Sequence, residues 1–267
     1  MMRMSETRPA SMVHFIGAGP GAADLITLRG KLLLENADVI VYAGSLVNPE
    51  LLSLAKPGSE VYNSAHMTLD EVIDTMRNAV ENKKTVARLH TGDPSLYGAI
   101  REQMDRLTEL GIGFEVCPGV SSFSAAAASL KAEYTLPGVS QTVILTRATG
   151  KTPVPEWEKI QALAAHKATM VLFLSAGMTE AVSAGLINGG YEPDTPAAIV
   201  YKASWPEEKI VRCTVGTLAD SATSNNITKT ALICIGDFLG DDYELSRLYA
   251  ADFSTEYRER RDEGNRE

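Results

Sequence analysis

A strand-like run that ends in a glycine turn carries the residues best suited to chemistry in this sequence. It reads Thr85-Val-Ala-Arg-Leu-His-Thr-Gly-Asp-Pro-Ser-Leu-Tyr-Gly98. The apolar half is typical of a buried strand, so the Thr-Gly-Asp-Pro turn is predicted at its carboxyl end, where α/β folds place ligand loops. Gly92 would let the backbone approach a ligand closely, and Pro94 would stiffen the turn and begin the next helix. Asp93 either belongs to such a site or only caps that helix.

Two further loops repeat this arrangement. Gly17-Ala-Gly-Pro-Gly-Ala22 follows an apolar run and fits the G-x-G-x-x-G/A pattern of dinucleotide-binding turns. Against that use, Pro20 lacks the N–H that a pyrophosphate would bind, and the second predicted strand runs into Ala43-Gly-Ser instead of an acidic residue for the ribose. The loop Cys117-Pro-Gly-Val-Ser-Ser122 ends in two hydroxyls that would contact a ligand or cap a helix.

Composition excludes several classes of function. The chain has 267 residues, 45% hydrophobic and 22% charged, as in an ordinary globular protein with a substantial core. Its net charge of −9 argues against a nucleic-acid surface, which needs a basic stripe. We expect a cytoplasmic protein without a membrane partner, because no apolar run could span a bilayer and the start lacks a secretory signal. The three cysteines and four histidines are scattered, so no metal site is predicted.

Short apolar runs alternate with helix-length amphipathic segments, which predicts an α/β fold. Strands are predicted at residues 13–16, 38–42, 85–90, 113–117, 142–146, 169–174, 197–201, 209–214 and 230–235. Helices are predicted at residues 25–35, 69–82, 94–110, 121–131, 156–165 and 179–187. The second helix should begin with a capping box formed by Thr68 and Glu71.

The chain is expected to form two α/β lobes. Leu136-Pro-Gly-Val139 is typical of a hinge, and the strand and helix pattern restarts after it. We therefore predict a disordered lead-in at residues 1–11, an N-terminal lobe at 12–135, a C-terminal lobe at 136–240 and a charged tail at 241–267. A ligand would lie in the cleft between the lobes.

Taken together, the three glycine loops resemble those of the tetrapyrrole methylases, the class III S-adenosylmethionine-dependent methyltransferases. The resemblance covers about residues 12–240, including Gly216-Thr-Leu-Ala219 and Thr230-Ala-Leu-Ile-Cys-Ile-Gly236. Within that family, Tyr42-Ala-Gly-Ser-Leu-Val47 and Leu136-Pro-Gly-Val-Ser-Gln-Thr-Val-Ile-Leu-Thr-Arg147 are similar to the subgroup that methylates carbon 11 of precorrin-4 or cobalt-precorrin-4. Membership would imply that the cofactor lies folded between two α/β lobes and that the protein is a homodimer.

The resemblance implies that S-adenosylmethionine is held mainly by backbone groups of the Thr-Gly-Asp-Pro loop. The cofactor-binding positions that it carries over are Pro20, Thr91, Gly92, Asp93, Leu96, Ser121, Ser122, Leu174, Ala203 and Ala231. Two positions depart from the family pattern. Gly21 is followed by Ala-Ala-Asp instead of Asp-Pro, which weakens any role for an acid directly after the glycine. Leu174 stands where relatives often have methionine, so an apolar wall would remain without the thioether.

Methyl transfer from a sulfonium needs in-line positioning and exclusion of water, without a metal or a protein nucleophile. The sequence shows no triad or paired carboxylates, and we assign no catalytic residue. The implied acceptor is a corrin precursor rich in carboxylates, for which Arg147, Lys202 and Tyr97 are the candidate ligands. Arg88 would join them if it points into the cleft, and a surface salt bridge is the alternative for each cation. For His90 and Tyr97 a structural hydrogen bond is expected, with proton handling as the alternative.

Four other functions remain open at this point. A sister enzyme of the family would methylate another macrocycle carbon. A relative in the family would methylate a protein or an RNA; the acidic net charge argues against the RNA acceptor. A nicotinamide-dependent oxidoreductase is supported by the first glycine turn alone, and a non-catalytic binding module would show no turnover.

Overall fold

The computed structural model describes residues 11–246, 248, 250 and 253–259. The first of two structural units contains the residues up to 126 together with the separate segment 202–208, and the second contains residues 127–201 and those from 209 onward. The predicted lobes, 12–135 and 136–240, are contiguous in sequence and place segment 202–208 in the other lobe. Residues 1–10 of the predicted lead-in and parts of the predicted tail lie outside the described residues.

The first unit is built on a five-stranded parallel sheet in the order β3-β2-β4-β1-β5. Its strands are β1 (Val13–Gly17), β2 (Val39–Tyr42), β3 (Glu60–Asn63), β4 (Val86–His90) and β5 (Phe114–Cys117). Because the strands are parallel, the loops that follow them all leave from one edge of the sheet.

Helices cover both faces of this sheet. They are α1 (Leu28–Asn36), α2 (Leu69–Glu81) and α3 (Ile100–Glu109). The next helix, α4 (Ser122–Leu130), contains the division between the two units. Phe15 packs in one apolar cluster with residues of α2 and α3, whereas Ile16 packs in the other with Leu34 of α1. Burial on both faces explains why β1 and β4 are wholly buried strands.

The second unit contains a mixed five-stranded sheet in the order β6-β7-β10-β8-β9, in which only the β6–β7 pair is parallel. The strands are β6 (Val143–Arg147), β7 (Thr169–Phe173), β8 (Pro196–Tyr201), β9 (Lys209–Thr214) and β10 (Ala231–Ile235). The helices are α5 (Ile160–Ala164), α6 (Thr179–Asn188) and α7 (Leu218–Ser224). The strand directions place the carboxyl ends of β6, β7 and β8 at the same edge as the amino end of β10.

The predicted α/β class is confirmed, and so is the capping box: Thr68 Oγ1 accepts from the Glu71 N–H at 3.3 Å, and Glu71 Oε2 accepts from the Thr68 N–H at 2.7 Å. The helix predicted from residue 94 is wrong at its start, since Tyr97 and Ala99 adopt positive φ angles of 57° and 49° and α3 begins at Ile100. The predicted helix 25–35 likewise starts late, at Leu28, after a short 3-10 turn. In place of the helix predicted at residues 156–165, the structure has a 3-10 turn followed by the short helix α5.

Three general properties of the described residues bear on function. Their cysteines are free thiols, with Cys117 and Cys234 buried and Cys213 half-buried. No group of three or more His, Cys, Asp or Glu side chains within the described ranges is arranged to hold a metal ion. Among the helices that the structure describes, none combines the length and apolarity needed to cross a bilayer.

Candidate functional site

The loop after β1 and the loop after β4 are joined at the carboxyl edge of the first sheet. The Ala18 N–H donates to the His90 carbonyl at 2.7 Å. Gly19 and Gly92 exchange main-chain hydrogen bonds, 2.8 Å from Gly92 N to Gly19 O and 3.3 Å in the other direction. Gly92 has a φ of +60°, a conformation that favours glycine. Two loops predicted to share a ligand therefore form one rigid junction.

Asp93 extends this junction to the loop after β5. Its Oδ2 accepts from the Gly119 N–H at 2.9 Å, and its Oδ1 accepts from the N–H of Ser95 at 2.8 Å and from the Ser95 hydroxyl. Partial burial alone would raise the pKa of Asp93, but the hydrogen bonds from Ser95 and Gly119 outweigh it and hold the pKa below its usual range. The helix-cap alternative for Asp93 is wrong, because the helix begins only at Ile100. The carboxylate instead fixes the turn and ties two loops together.

The remaining predicted positions of this edge lie around the same junction. Thr91 Oγ1 donates to the Leu46 carbonyl at 2.8 Å, which connects the junction to the loop after β2. Leu96 is half-buried in the turn that Asp93 organises. Ser121 is buried and directly precedes α4, whose first residue is Ser122. The structure thus brings the predicted residues of the three glycine loops together on one edge.

The backbone groups of the first loop are already engaged by the protein. The N–H groups of Ala18 and Gly19 donate to the β4 side of the junction, and Pro20 has no N–H. The Ala22 N–H donates to Ser204 Oγ at 3.0 Å. Few donors are left to hold a pyrophosphate, so this geometry speaks against dinucleotide binding.

Segment 202–208 packs on this first loop. Trp205 Nε1 donates to the Pro20 carbonyl at 3.0 Å, and the Lys202 ammonium lies 5.2 Å from the centre of the indole ring. Lys202 Nζ is also 3.5 Å from a carboxylate oxygen of Glu207, and Ala203 is buried. Pro20, Lys202 and Ala203 therefore belong to the same unit although the sequence separates them widely. Sequence reasoning missed Trp205, because its partner Pro20 lies 185 residues away and no local motif surrounds the tryptophan.

In the second unit, Arg147, Leu174 and Ala231 occupy the sheet edge that holds the ends of β6 and β7 and the start of β10. Leu174 is 66% exposed and has a φ of +53°. A leucine in this conformation is strained, and such strain is concentrated at functional sites. Arg147 turns back on the loop that follows it: Nη1 donates to Thr152 O at 3.1 Å and Nη2 to Pro153 O at 2.9 Å. A substrate role for Arg147 stays a prediction.

Arg88 and His90 lie inside the first unit. Arg88 is 6% exposed, and its guanidinium donates to Gln103 and to the Val41 carbonyl, so it does not form the surface salt bridge considered as its alternative. Burial, together with the charge of Arg88, lowers the pKa of His90 to about 3. His90 Nε2 is buried and has no hydrogen-bond partner among the described residues, so this nitrogen does not make the expected bond. Tyr97 is 45% exposed.

Comparisons with known proteins identify relatives of this chain. A family model for the tetrapyrrole (corrin/porphyrin) methylases matches residues 12–219. The chain is 55% identical over 247 residues to the cobalt-precorrin-4 C(11)-methyltransferase of Methanocaldococcus jannaschii, covering 92% of this chain and 95% of that protein. It is 48% identical over 240 residues to the precorrin-4 C(11)-methyltransferase of Mycobacterium tuberculosis, covering 89% and 96% of the two chains.

Solved structures of tetrapyrrole methyltransferases also superpose on this chain. The crystal structure of a cobalt precorrin-4 methyltransferase superposes with a TM-score of 0.85 at 51% identity, covering 86% of this chain and 96% of that chain. A uroporphyrin-III C-methyltransferase from Thermus thermophilus, in complex with S-adenosylhomocysteine, has a TM-score of 0.72 at 26% identity and covers 86% and 99% of the two chains. The family match over most of the chain and the identity to these relatives lead to one conclusion: the chain belongs to the tetrapyrrole methylase family.

Proposed function

We propose that this protein methylates carbon 11 of precorrin-4 or cobalt-precorrin-4, with S-adenosylmethionine as the methyl donor, in the biosynthesis of cobalamin. The observation that carries the proposal is the 55% identity, over 92% of the chain, to an enzyme named for that reaction. The family resemblance further supports a homodimer that takes an acidic tetrapyrrole as its substrate, and we expect a cytoplasmic location.

The residues of the candidate site fit such a donor. S-adenosylmethionine has no phosphate, so it does not need the loop N–H groups that are already bonded within the protein. Gly92, Ala203 and Ala231 are small, so their side chains would not obstruct the close approach of an adenosine group, and Leu174 offers an exposed apolar side chain. When bound, the donor would supply a methyl group on a positively charged sulfur.

The chain's own contribution would be positioning. The hydrogen bonds among Gly19, Gly92, Asp93 and Gly119 fix the loop geometry before a ligand arrives, so little reorganisation is needed on binding. We assign the cofactor to Pro20, Thr91, Gly92, Asp93, Leu96, Ser121, Ser122, Leu174, Ala203 and Ala231. We assign the macrocycle carboxylates to Arg147 and Lys202, with Tyr97 beside them.

The first test is calorimetric titration of the purified protein with S-adenosylhomocysteine, with NADH as the comparator. We expect binding of S-adenosylhomocysteine at micromolar or lower concentration and none of NADH. The second test is turnover of the macrocycle with ¹³C-methyl-labelled donor, followed by NMR of the product. A label at carbon 11 is expected; label at another macrocycle carbon would assign a sister activity, and NADH binding would refute the cofactor assignment.

A further inference from the structure

Side chains from two distant segments hold three consecutive residues of the first glycine loop. The Pro20 carbonyl accepts from Trp205 Nε1 at 3.0 Å. The Gly21 carbonyl accepts from the buried amide of Asn48 at 2.9 Å. The Ala22 N–H, as described above, donates to the Ser204 hydroxyl. Because each residue is bonded through a main-chain group, the loop cannot shift without breaking several of these bonds together.

The indole of Trp205 also packs directly on the backbone of Gly21. A Cβ atom added to Gly21 would lie 2.1 Å from Cδ1 and 2.2 Å from Nε1 of the indole, far inside van der Waals contact. Only glycine therefore allows the ring to reach the Pro20 carbonyl. Pro20 and Gly21 are buried, and Trp205 is half-buried.

The same indole organises the segment that carries Lys202 and Ala203. The Lys202 ammonium lies near the ring face, at a distance typical of a cation–π contact. The Ser204 N–H donates to Glu208 Oε2 at 2.6 Å, which closes the turn that presents Trp205. One side chain thus connects Pro20 to the segment in which two further proposed ligand-binding residues lie.

We propose that Trp205 is a positioning residue for the methyl transfer. Its hydrogen bond to Pro20 and its packing on Gly21 hold the first loop and segment 202–208 in the one arrangement that binds the cofactor. This inference rests on the proposed function, and Trp205 acts through Pro20, Ala203 and Lys202 without touching the reacting atoms.

The test compares Trp205→Phe with wild type. Phenylalanine keeps an aromatic ring over Gly21 but lacks the N–H donor. Loss of one such hydrogen bond should weaken binding of S-adenosylhomocysteine by about three- to tenfold in calorimetry, and the KM for the methyl donor should rise similarly while kcat changes by less than about twofold. A purely structural role would lower the melting temperature and leave the dissociation constant of the folded protein unchanged.

The chain offers a matched control and a spectroscopic probe, because its only other tryptophan is Trp157, which is 74% exposed. Trp157→Phe leaves Trp205 as the single tryptophan. We expect this variant to bind S-adenosylhomocysteine like wild type and its emission to change on saturation. In Trp205→Phe, where Trp157 is the only tryptophan left, the tryptophan emission should not respond.

A reciprocal pair of variants tests the packing contact. Gly21→Ala should weaken binding strongly in the wild-type background because its Cβ displaces the indole. In a Trp205→Ala background the same change should add little, since the obstructing ring is gone; equal effects in both backgrounds would contradict the packing. Two results together would overturn this inference alone: Trp205→Phe binds S-adenosylhomocysteine as tightly as wild type, and the Trp205 emission of the Trp157→Phe variant does not change when S-adenosylhomocysteine is added. Failure of wild type to bind S-adenosylhomocysteine would overturn the proposed function and this inference with it.

Discussion

Arg88 on β4 and Gln103 on α3 are joined inside the first unit by a hydrogen bond of 2.9 Å from the guanidinium Nε to the amide Oε1. The amide nitrogen of Gln103 donates in turn to the Ala99 carbonyl at 2.9 Å. Gln103 thus connects a buried cation to the left-handed residue that directly precedes α3. Burial lowers the pKa of Arg88 to about 10, so the group remains charged at neutral pH and needs this acceptor.

Replacing Gln103 by leucine should destabilise the protein by about 2–4 kcal/mol, because it leaves a charged donor buried without its acceptor. Urea unfolding followed by circular dichroism measures the free energy of unfolding. Gln161→Leu is the matched control: Gln161 is exposed on α5, and the change there should stay within about 0.5 kcal/mol of wild type. Equal stabilities of the two variants would contradict a structural role for the Arg88–Gln103 pair.

The buried His90 should make stability depend on pH. Its folded pKa of about 3 lies below the ordinary value of 6.5, so below pH 6.5 the unfolded chain binds a proton that the folded chain does not. The free energy of unfolding should therefore fall as the pH drops from 6.5 toward 3, by about 1.4 kcal/mol per unit once well below 6.5. His90→Gln should remove this part of the slope in urea titrations between pH 7 and about 4. The matched change at the exposed His166 should leave the slope as in wild type.

Asp93 should matter for both stability and cofactor binding. Asp93→Ala removes the acceptor of the hydrogen bonds from the Gly119 N–H and from Ser95. We therefore expect the free energy of unfolding to fall by about 1–2 kcal/mol and S-adenosylhomocysteine to bind at least about tenfold more weakly. Calorimetry at a temperature where the variant is fully folded separates the two effects. Asp24→Ala, at an exposed aspartate after the first loop, is the control and should bind normally. If the two variants bind equally well, the loop junction does not shape the site.

Arg147→Ala tests the assignment of the macrocycle carboxylates. We expect the KM for the tetrapyrrole to rise by about tenfold or more, in line with loss of a charge-assisted contact, while the dissociation constant of S-adenosylhomocysteine stays unchanged. Steady-state kinetics with the macrocycle as the varied substrate provides the measurement. Arg101→Ala, at an 84% exposed side chain paired with Asp105, should behave like wild type. An unchanged KM for Arg147→Ala would limit that residue to holding its own 148–153 loop.

The features that the sequence predicts well depend on neighbouring residues. The capping box of Thr68 and Glu71 spans one helical turn, and the buried strands β1 and β4 are visible as apolar runs. The edge strand β3 was not predicted, because three of its four residues are exposed and no apolar run marks it. The helix predicted from residue 94 failed because Tyr97 adopts a left-handed conformation that local propensity does not favour.

In the candidate site, too, features marked by a local motif could be predicted and contacts between distant residues could not. The glycine loops were found through motifs, and their family resemblance supplied the list of ligand-binding positions. The side chains that brace the first loop were missed, since Asn48 lies 27 residues and Trp205 lies 185 residues from their partners. A buried bond such as Arg88 to Gln103 likewise has no signature in one sequence, because its spacing is set by how β4 and α3 pack.

The discontinuous make-up of the first unit constrains the order in which it can mature during translation. Residues 202–208 leave the ribosome only after residues 127–201, which belong to the other unit, have been synthesised. Until then the carbonyl of Pro20 and the N–H of Ala22 have no access to Trp205 and Ser204. A nascent chain that stops before residue 202 thus carries a parallel sheet whose first loop is held by Asn48 and Gly92 but lacks the bonds to Trp205 and Ser204, and the fully braced first unit is a late product of synthesis.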